Sequence, residues 1–61
     1  MKVSELLKLI KADGWYLDHH GTNHDQYRHP TKLGQIPIPR HSSKELKPKT
    51  EQSILKQAGL K

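Results

Sequence analysis

Five histidines stand among 61 residues: His19, His20, His24, His29 and His41. His24 is set apart by its position. It follows the turn sequence Gly21-Thr22-Asn23 and opens the segment His24-Asp25-Gln26-Tyr27-Arg28-His29-Pro30. Imidazole titrates near neutral pH, so it can give or take a proton under physiological conditions. Taken singly, a histidine on a strand is ordinarily a solvated polar side chain, and only the placement of His24 argues for more.

Other chemistries fit the residues less well. His20 and His24 are four apart, but Gly21 and the turn between them rule out a shared helix face. The chain has no cysteine, and the histidine spacing matches no metal-ligand signature. Ser4, Ser42, Ser43 and Ser53 lie at helix starts or on a helix, without the Gly-x-Ser-x-Gly elbow of a serine nucleophile. The six acidic residues are scattered, and the four glycines punctuate elements rather than form a phosphate loop. What remains is histidine acid–base work on a substrate that carries its own nucleophile. RNA does so in its 2′-hydroxyl. Cutting it needs a base, an acid and cations for the developing phosphorane charge, with no metal or cofactor. His24 is the candidate base or acid. Arg28 and Arg40 are candidate phosphate contacts, although a solvated strand charge is the ordinary use of either.

The elements that must hold these residues follow from periodicity. Val3, Leu6, Leu7 and Ile10 fall at i, i+3, i+4 and i+7, which predicts a helix from about Ser4 to Asp13. Ser4 is placed as its N-cap and Gly14 as its terminator. Trp15 to His20 alternates as a strand, with Trp15, Leu17 and His19 on one face. Gly21-Thr22-Asn23 turns the chain, with positive φ expected at Gly21 or Asn23. His24 to His29 returns as a second strand. If Tyr27 faces the core, His24, Gln26 and Arg28 share the open face. Gln35 to Arg40 is a third strand; Pro37 and Pro39 put it at an edge. Ser42-Ser43-Lys44-Glu45 reads as a capping box for one helical turn. Pro48 or Thr50 then opens a last helix, with Glu51, Ile54, Leu55 and Ala58 as its stripe and Gly59 as its end. The order is α-β-β-β-α in an α+β fold. Two helices on one face of a three-stranded antiparallel sheet is the economical arrangement, leaving the other face for a ligand.

Composition narrows the partner. Lys and Arg total 11 against 6 acidic residues, a net charge of +5, which favours polyanions. A single domain, 1–61, is expected. The hydrophobic fraction is only 31%, so a partner or dimer contact is expected to supplement a small core. No apolar run of signal-peptide or membrane-span type is visible, so a cytoplasmic location is expected.

Three blocks resemble a known family. Gly14-Trp15 closes the first helix. Gly21-Thr22-Asn23-His24 with Tyr27-Arg28-His29-Pro30 forms the centre. Ile38-Pro39-Arg40-His41, Glu45-Leu46-Lys47-Pro48-Lys49-Thr50 and Ile54-Leu55-Lys56-Gln57-Ala58-Gly59-Leu60 complete the chain. In order and spacing these are similar to HicA, the mRNA-cleaving toxin of HicA–HicB toxin–antitoxin pairs, over essentially the whole chain. The resemblance implies a double-stranded-RNA-binding-domain-like fold and a metal-independent endoribonuclease acting on mRNA, with growth arrest as the outcome. It implies His24 as the catalytic histidine, with Thr22 where the family usually has Ser. It also implies a HicB-like antitoxin that covers the active site, and the charge balance makes an acidic one the expected partner. Lys49 stands where the family often has Gly. Lys47 and Lys49 join Arg28 and Arg40 as candidate RNA contacts. The second proton-transfer group is open among His41, His29 and His20. A non-catalytic RNA-binding module on the same basic face is the rival reading, and a purely structural subunit is the third.

Overall fold

The computed structural model describes residues 1–41 and 43–61. The first helix, α1, spans Val3–Asp13 and buries Val3, Leu6 and Ile10. It begins one residue earlier than the sequence predicts. Lys2, not Ser4, is the N-cap, and no side chain caps it. The reason is tertiary: the Val3 amide donates to the Lys44 carbonyl at 3.0 Å, so a distant segment satisfies a first-turn donor. Gly14 ends the helix at φ 114°. The Gly14 amide donates to the Lys11 carbonyl and the Trp15 amide to the Ile10 carbonyl, the paired bonds of a Schellman closure.

The sheet contains β1 (Tyr16–His20), β2 (His24–Arg28) and β3 (Ile36–Pro39), all antiparallel in the order β1-β2-β3. The β2–β3 register is regular: His24 pairs with Pro39, Asp25 with Ile38, Gln26 with Pro37 and Tyr27 with Ile36. Tyr27, Ile36 and Ile38 are buried on one side. His24 therefore lies on the opposite side, as strand parity requires. Pro37 and Pro39 sit on an edge strand, where a missing donor costs no ladder bond.

Strand β1 departs from strict alternation. Leu17 pairs with Tyr27, but His19 pairs with Gln26, so Asp18 is an extra residue in the ladder. This bulge moves His20, not His19, opposite Asp25. The expectation that Trp15, Leu17 and His19 share one face is corrected at His19, which the bulge takes off the face that Leu17 shares with Tyr27. Trp15 precedes β1 and is buried, while Leu17, on the edge strand, is 42% exposed.

The β1–β2 turn is closed by the Gly21 amide donating to the His24 carbonyl at 2.7 Å. Neither Gly21 nor Asn23 takes positive φ. Gly21 is needed for space instead: a Cβ there would lie 2.7 Å from the His24 carbonyl oxygen.

Between β3 and the last helix, the expected capping box begins at Ser42, which lies outside the described residues. Glu45 forms an isolated antiparallel bridge with Lys2, and the Leu46 amide donates to the Met1 carbonyl. Helix α2 spans Pro48–Gln57, with Pro48 in its first turn, where proline loses nothing. The Leu60 amide reaches the Leu55 carbonyl just beyond Gly59, repeating the closure of α1. Ile54 and Ala58 join Val3, Leu6, Ile10, Trp15, Leu46 and the sheet residues in one core, which places both helices on one sheet face. Among the described residues no helix is long and apolar enough to cross a membrane.

Candidate functional site

Three surface concavities meet at the first residue of β2. His24 and its cross-strand partner Pro39 line each of three adjoining depressions. One runs between the prolines of β3 and the face of α2 that carries Lys49, Thr50, Ser53 and Gln57. A second lies under the β1–β2 turn and includes Arg40, His41 and Lys44. The third is bounded by Lys44, Glu45, Lys47 and Thr50. The His24 ring is exposed and makes no hydrogen bond or ion pair with the described residues. Its backbone is held on both sides, by Pro39 across the ladder and by the turn bond to Gly21. A rigid backbone thus presents an uncommitted ring, an arrangement suited to a group that must exchange protons with a ligand.

The cations that surround this ring come from two elements. Lys47 and Lys49 flank the first turn of α2, and Lys44 stands in the segment leading to it. The N-terminus of α2 has no side-chain cap. Its early amides and its dipole add to the positive character of this rim. The first and second depressions have no carboxylate in their lining among the described residues. Glu45 is the one acid among the described residues that line the third.

The predicted site residues separate into two groups. Lys47 and Lys49 are brought to His24. Arg40 is near it but already engaged: its Nε donates to Asp25 Oδ1 at 3.0 Å and its Nη2 donates to the Gly21 carbonyl. It ties β3 to the hairpin turn as well as lining the second depression. Arg28 is at the far end of β2, about 13 Å away at roughly 3.3 Å per residue. Its Nε lies 3.6 Å from Asp18 Oδ2, and the Gln35 amide, in its satisfied orientation, accepts from its Nη2 at 2.6 Å.

The remaining histidines have different uses. His20 Nδ1 donates to Asp25 Oδ1 at 2.6 Å. The His20 hydrogen bond, followed by that of Arg40, holds the Asp25 carboxyl below the usual carboxylate range. His19 bonds its neighbour Asp18 at 2.7 Å. His29 is nearly buried, with both ring nitrogens occupied. Nε2 donates to the Asp13 carbonyl at 2.7 Å, and Nδ1 accepts from the Thr31 and Lys32 amides, each at 3.1 Å. Its ring meets Trp15 edge-on at a centroid distance of 5.3 Å. Among the described residues, His41 is the histidine that shares one of these three depressions with His24.

Lys44, Thr50, Ser53 and Gln57 were not legible as site residues in the sequence. Lys44 is placed by a turn, its amide donating to the His41 carbonyl, and no local pattern announces that turn. Thr50, Ser53 and Gln57 follow a helical spacing of three and four, but the face they share meets His24 only after α2 docks.

Among curated proteins, none matches the chain significantly. The family model for the HicA toxin of bacterial toxin–antitoxin systems matches residues 3–60 of the 61. That match spans both helices, all three strands and every residue of the cluster around His24, and the chain belongs to the HicA toxin family.

Proposed function

We propose that this toxin is a metal-independent endoribonuclease that cleaves mRNA, with His24 as a catalytic proton-transfer group. The observation that carries the reading is the position of His24: an exposed, uncommitted imidazole where three depressions converge beneath lysines of two elements. The RNA strand lies along the cleft between β3 and α2. Lys47, Lys49 and the start of α2 hold its phosphates, while the 2′-hydroxyl beside His24 acts as nucleophile. The prolines of β3 give the floor of the cleft a rigid, apolar surface. Arg40 fixes the turn and adds charge beside it. Arg28 extends the basic track at its far end.

The decisive measurement uses purified protein, a labelled RNA and a chelator. Cleavage that survives chelation and falls roughly 10²–10⁴-fold in His24→Ala is the expected result. A folded His24→Ala protein cleaving at the intact rate would sink the assignment. Binding without products would leave a non-catalytic RNA-binding module.

A toxin of a toxin–antitoxin family implies an antitoxin. The proposed partner is a HicB-like protein that presents acidic groups to the lysine rim and covers His24. Its binding should raise the melting temperature and block RNA access together. Stabilisation that leaves RNA binding intact would put the antitoxin on another face.

A further inference from the structure

We infer that His41 is the second proton-transfer group of the site, acting across the scissile phosphate from His24. The inference rests on the ribonuclease reading and names a catalytic residue which that reading lacks. Three observations converge on it. His24 pairs with Pro39, the last residue of β3, and His41 follows Pro39 by two residues. Arg40, between Pro39 and His41, sends its guanidinium away to Asp25 and Gly21, while His41 lines the second depression beside His24. The two imidazoles then line one depression.

Elimination among the other histidines agrees. His29 uses both ring nitrogens to hold the fold, and His20 is bound to Asp25 on the other side of the ladder. His41 is exposed, and its ring makes no hydrogen bond with the described residues. Its backbone is fastened nonetheless. The Lys44 amide donates to the His41 carbonyl at 3.0 Å, and the Lys44 carbonyl accepts from the Val3 amide at 3.0 Å, which anchors this turn to α1. The charged groups facing His41 are Arg40 on its own segment, Lys44 one turn on, and His24 on β2.

The chemistry balances with these groups alone. One imidazole takes the proton of the 2′-hydroxyl as the O2′–P bond forms. The P–O5′ bond breaks with its electron pair on O5′, and the other imidazole, protonated, supplies the proton that O5′ needs. The products are a 2′,3′-cyclic phosphate and a 5′-hydroxyl, and the enzyme is left with its two protonation states exchanged. Lys44 lines the depression that the two imidazoles share and is the cation placed to offset the developing phosphorane charge.

The test is the pH dependence of kcat/KM on a short labelled RNA, with chelator, for the intact chain, His24→Ala and His41→Ala. The intact chain should give a bell. His41→Ala should lose roughly 10²–10³-fold and one limb of that bell, with its melting temperature unchanged and part of the rate restored by added imidazole. An unchanged rate overturns the proposal. So does a reduced rate with a complete bell and no imidazole rescue, which marks a residue that only positions or binds. If the intact chain binds RNA without cleaving it, the ribonuclease reading fails and His41 falls with it. Cleavage abolished in His24→Ala but intact in His41→Ala removes His41 alone.

Discussion

His24 and His29 stand five positions apart, at the start of β2 and just past its end, in the same residue type with opposite surroundings. The ring of His29 is packed against Trp15 and spends both nitrogens on backbone: it joins the end of α1, through Asp13, to the turn at Thr31 and Lys32. Around it the Trp15 indole and the Lys32 ammonium both donate to the Ala58 carbonyl, at 3.3 and 2.9 Å, so the C-terminal end of α2 is capped there as well. The ring of His24 makes no such bond with the described residues, and every depression beside it is open. One end of the strand is a rivet for both helices; the other is a fixed platform with a free ring. Satisfied polar groups make for stability, and an unsatisfied, exposed one is left for a ligand.

Exchanging each histidine for alanine is the sharpest way to break this comparison. His24→Ala should cut cleavage by roughly 10²–10⁴-fold while the thermal transition stays put. His29→Ala leaves two amides and a carbonyl without their partner, at a nearly buried ring whose Thr31 side still reaches solvent. That costs about 1–2 kcal/mol, or a fall in Tm on the order of 5–15 °C for a chain this small. Below its transition the His29 variant should cleave normally. If the two substitutions move activity and Tm together, the division of labour along β2 is wrong.

Two glycines allow the same contrast at the backbone. Gly14 sits at φ 114°, and a Cβ there would meet His29 Nε2 at 2.8 Å. Gly14→Ala should therefore destabilise by about 1–3 kcal/mol without touching the cleft. Gly21 has no positive φ, but its added Cβ would press on the His24 carbonyl at 2.7 Å. Displacing that carbonyl moves the His24 ring, so on the proposed function Gly21→Ala should lose activity, up to about 10²-fold, more than it loses stability. Parallel melting curves and cleavage rates for the two variants separate these effects.

Among the cations, position decides the size of the effect. Removing Lys47 or Lys49 should weaken RNA binding and reduce the slope of log affinity against log salt by about 1 each. Arg28, about 13 Å from His24 and engaged with Asp18, should give the smaller change. A salt titration of binding for Lys47→Ala, Lys49→Ala and Arg28→Ala checks the order. An equal effect at Arg28 would mean that the RNA is held as firmly at the far end of β2 as at the start of α2.

The element order and the open-face position of His24 were legible because both depend on local spacing. Three apolar residues at helical intervals fix α1, and alternation around Tyr27 fixes the face of His24. The errors came where distant segments intervene. Ser4 reads as a cap until Lys44 supplies the bond instead, and Asp18 reads as an ordinary strand residue until the register exposes it as a bulge. Arg40, a candidate phosphate contact, also has an engagement the sequence does not show, since Asp25 is fifteen positions away in sequence and one hydrogen bond away in space. His29 could not be told from His24 by type. Only packing against Trp15 and the turn after β2 shows which histidine holds the fold.

The two ends of β2 also each hold a carboxylate below its ordinary range, and acid titration should distinguish them. Asp13 is lowered first by its hydrogen bond from Lys32, at 2.5 Å, and Asp25 first by His20 and then by Arg40. A carboxylate whose folded-state pKa is depressed binds its proton more readily in the unfolded chain. Its contribution to stability is complete above the unfolded value of about 4 and is lost as pH falls through the folded value. Thermal melts from pH 6 downward should therefore show stability declining below about pH 4. Asp13→Asn should lower Tm at neutral pH and flatten that decline, leaving cleavage per folded molecule unchanged. Asp25→Asn should flatten it too, but it also weakens the ion pair that holds Arg40 in place beside the turn before His24, so cleavage should fall with it. Both side chains keep solvent access, at 27% and 19% exposure, so screening keeps each change in Tm to a few degrees. An acid limb unaffected by Asp13→Asn would mean that Lys32 acts mainly through the Ala58 carbonyl, and that the rivet at this end is built from hydrogen bonds to backbone alone.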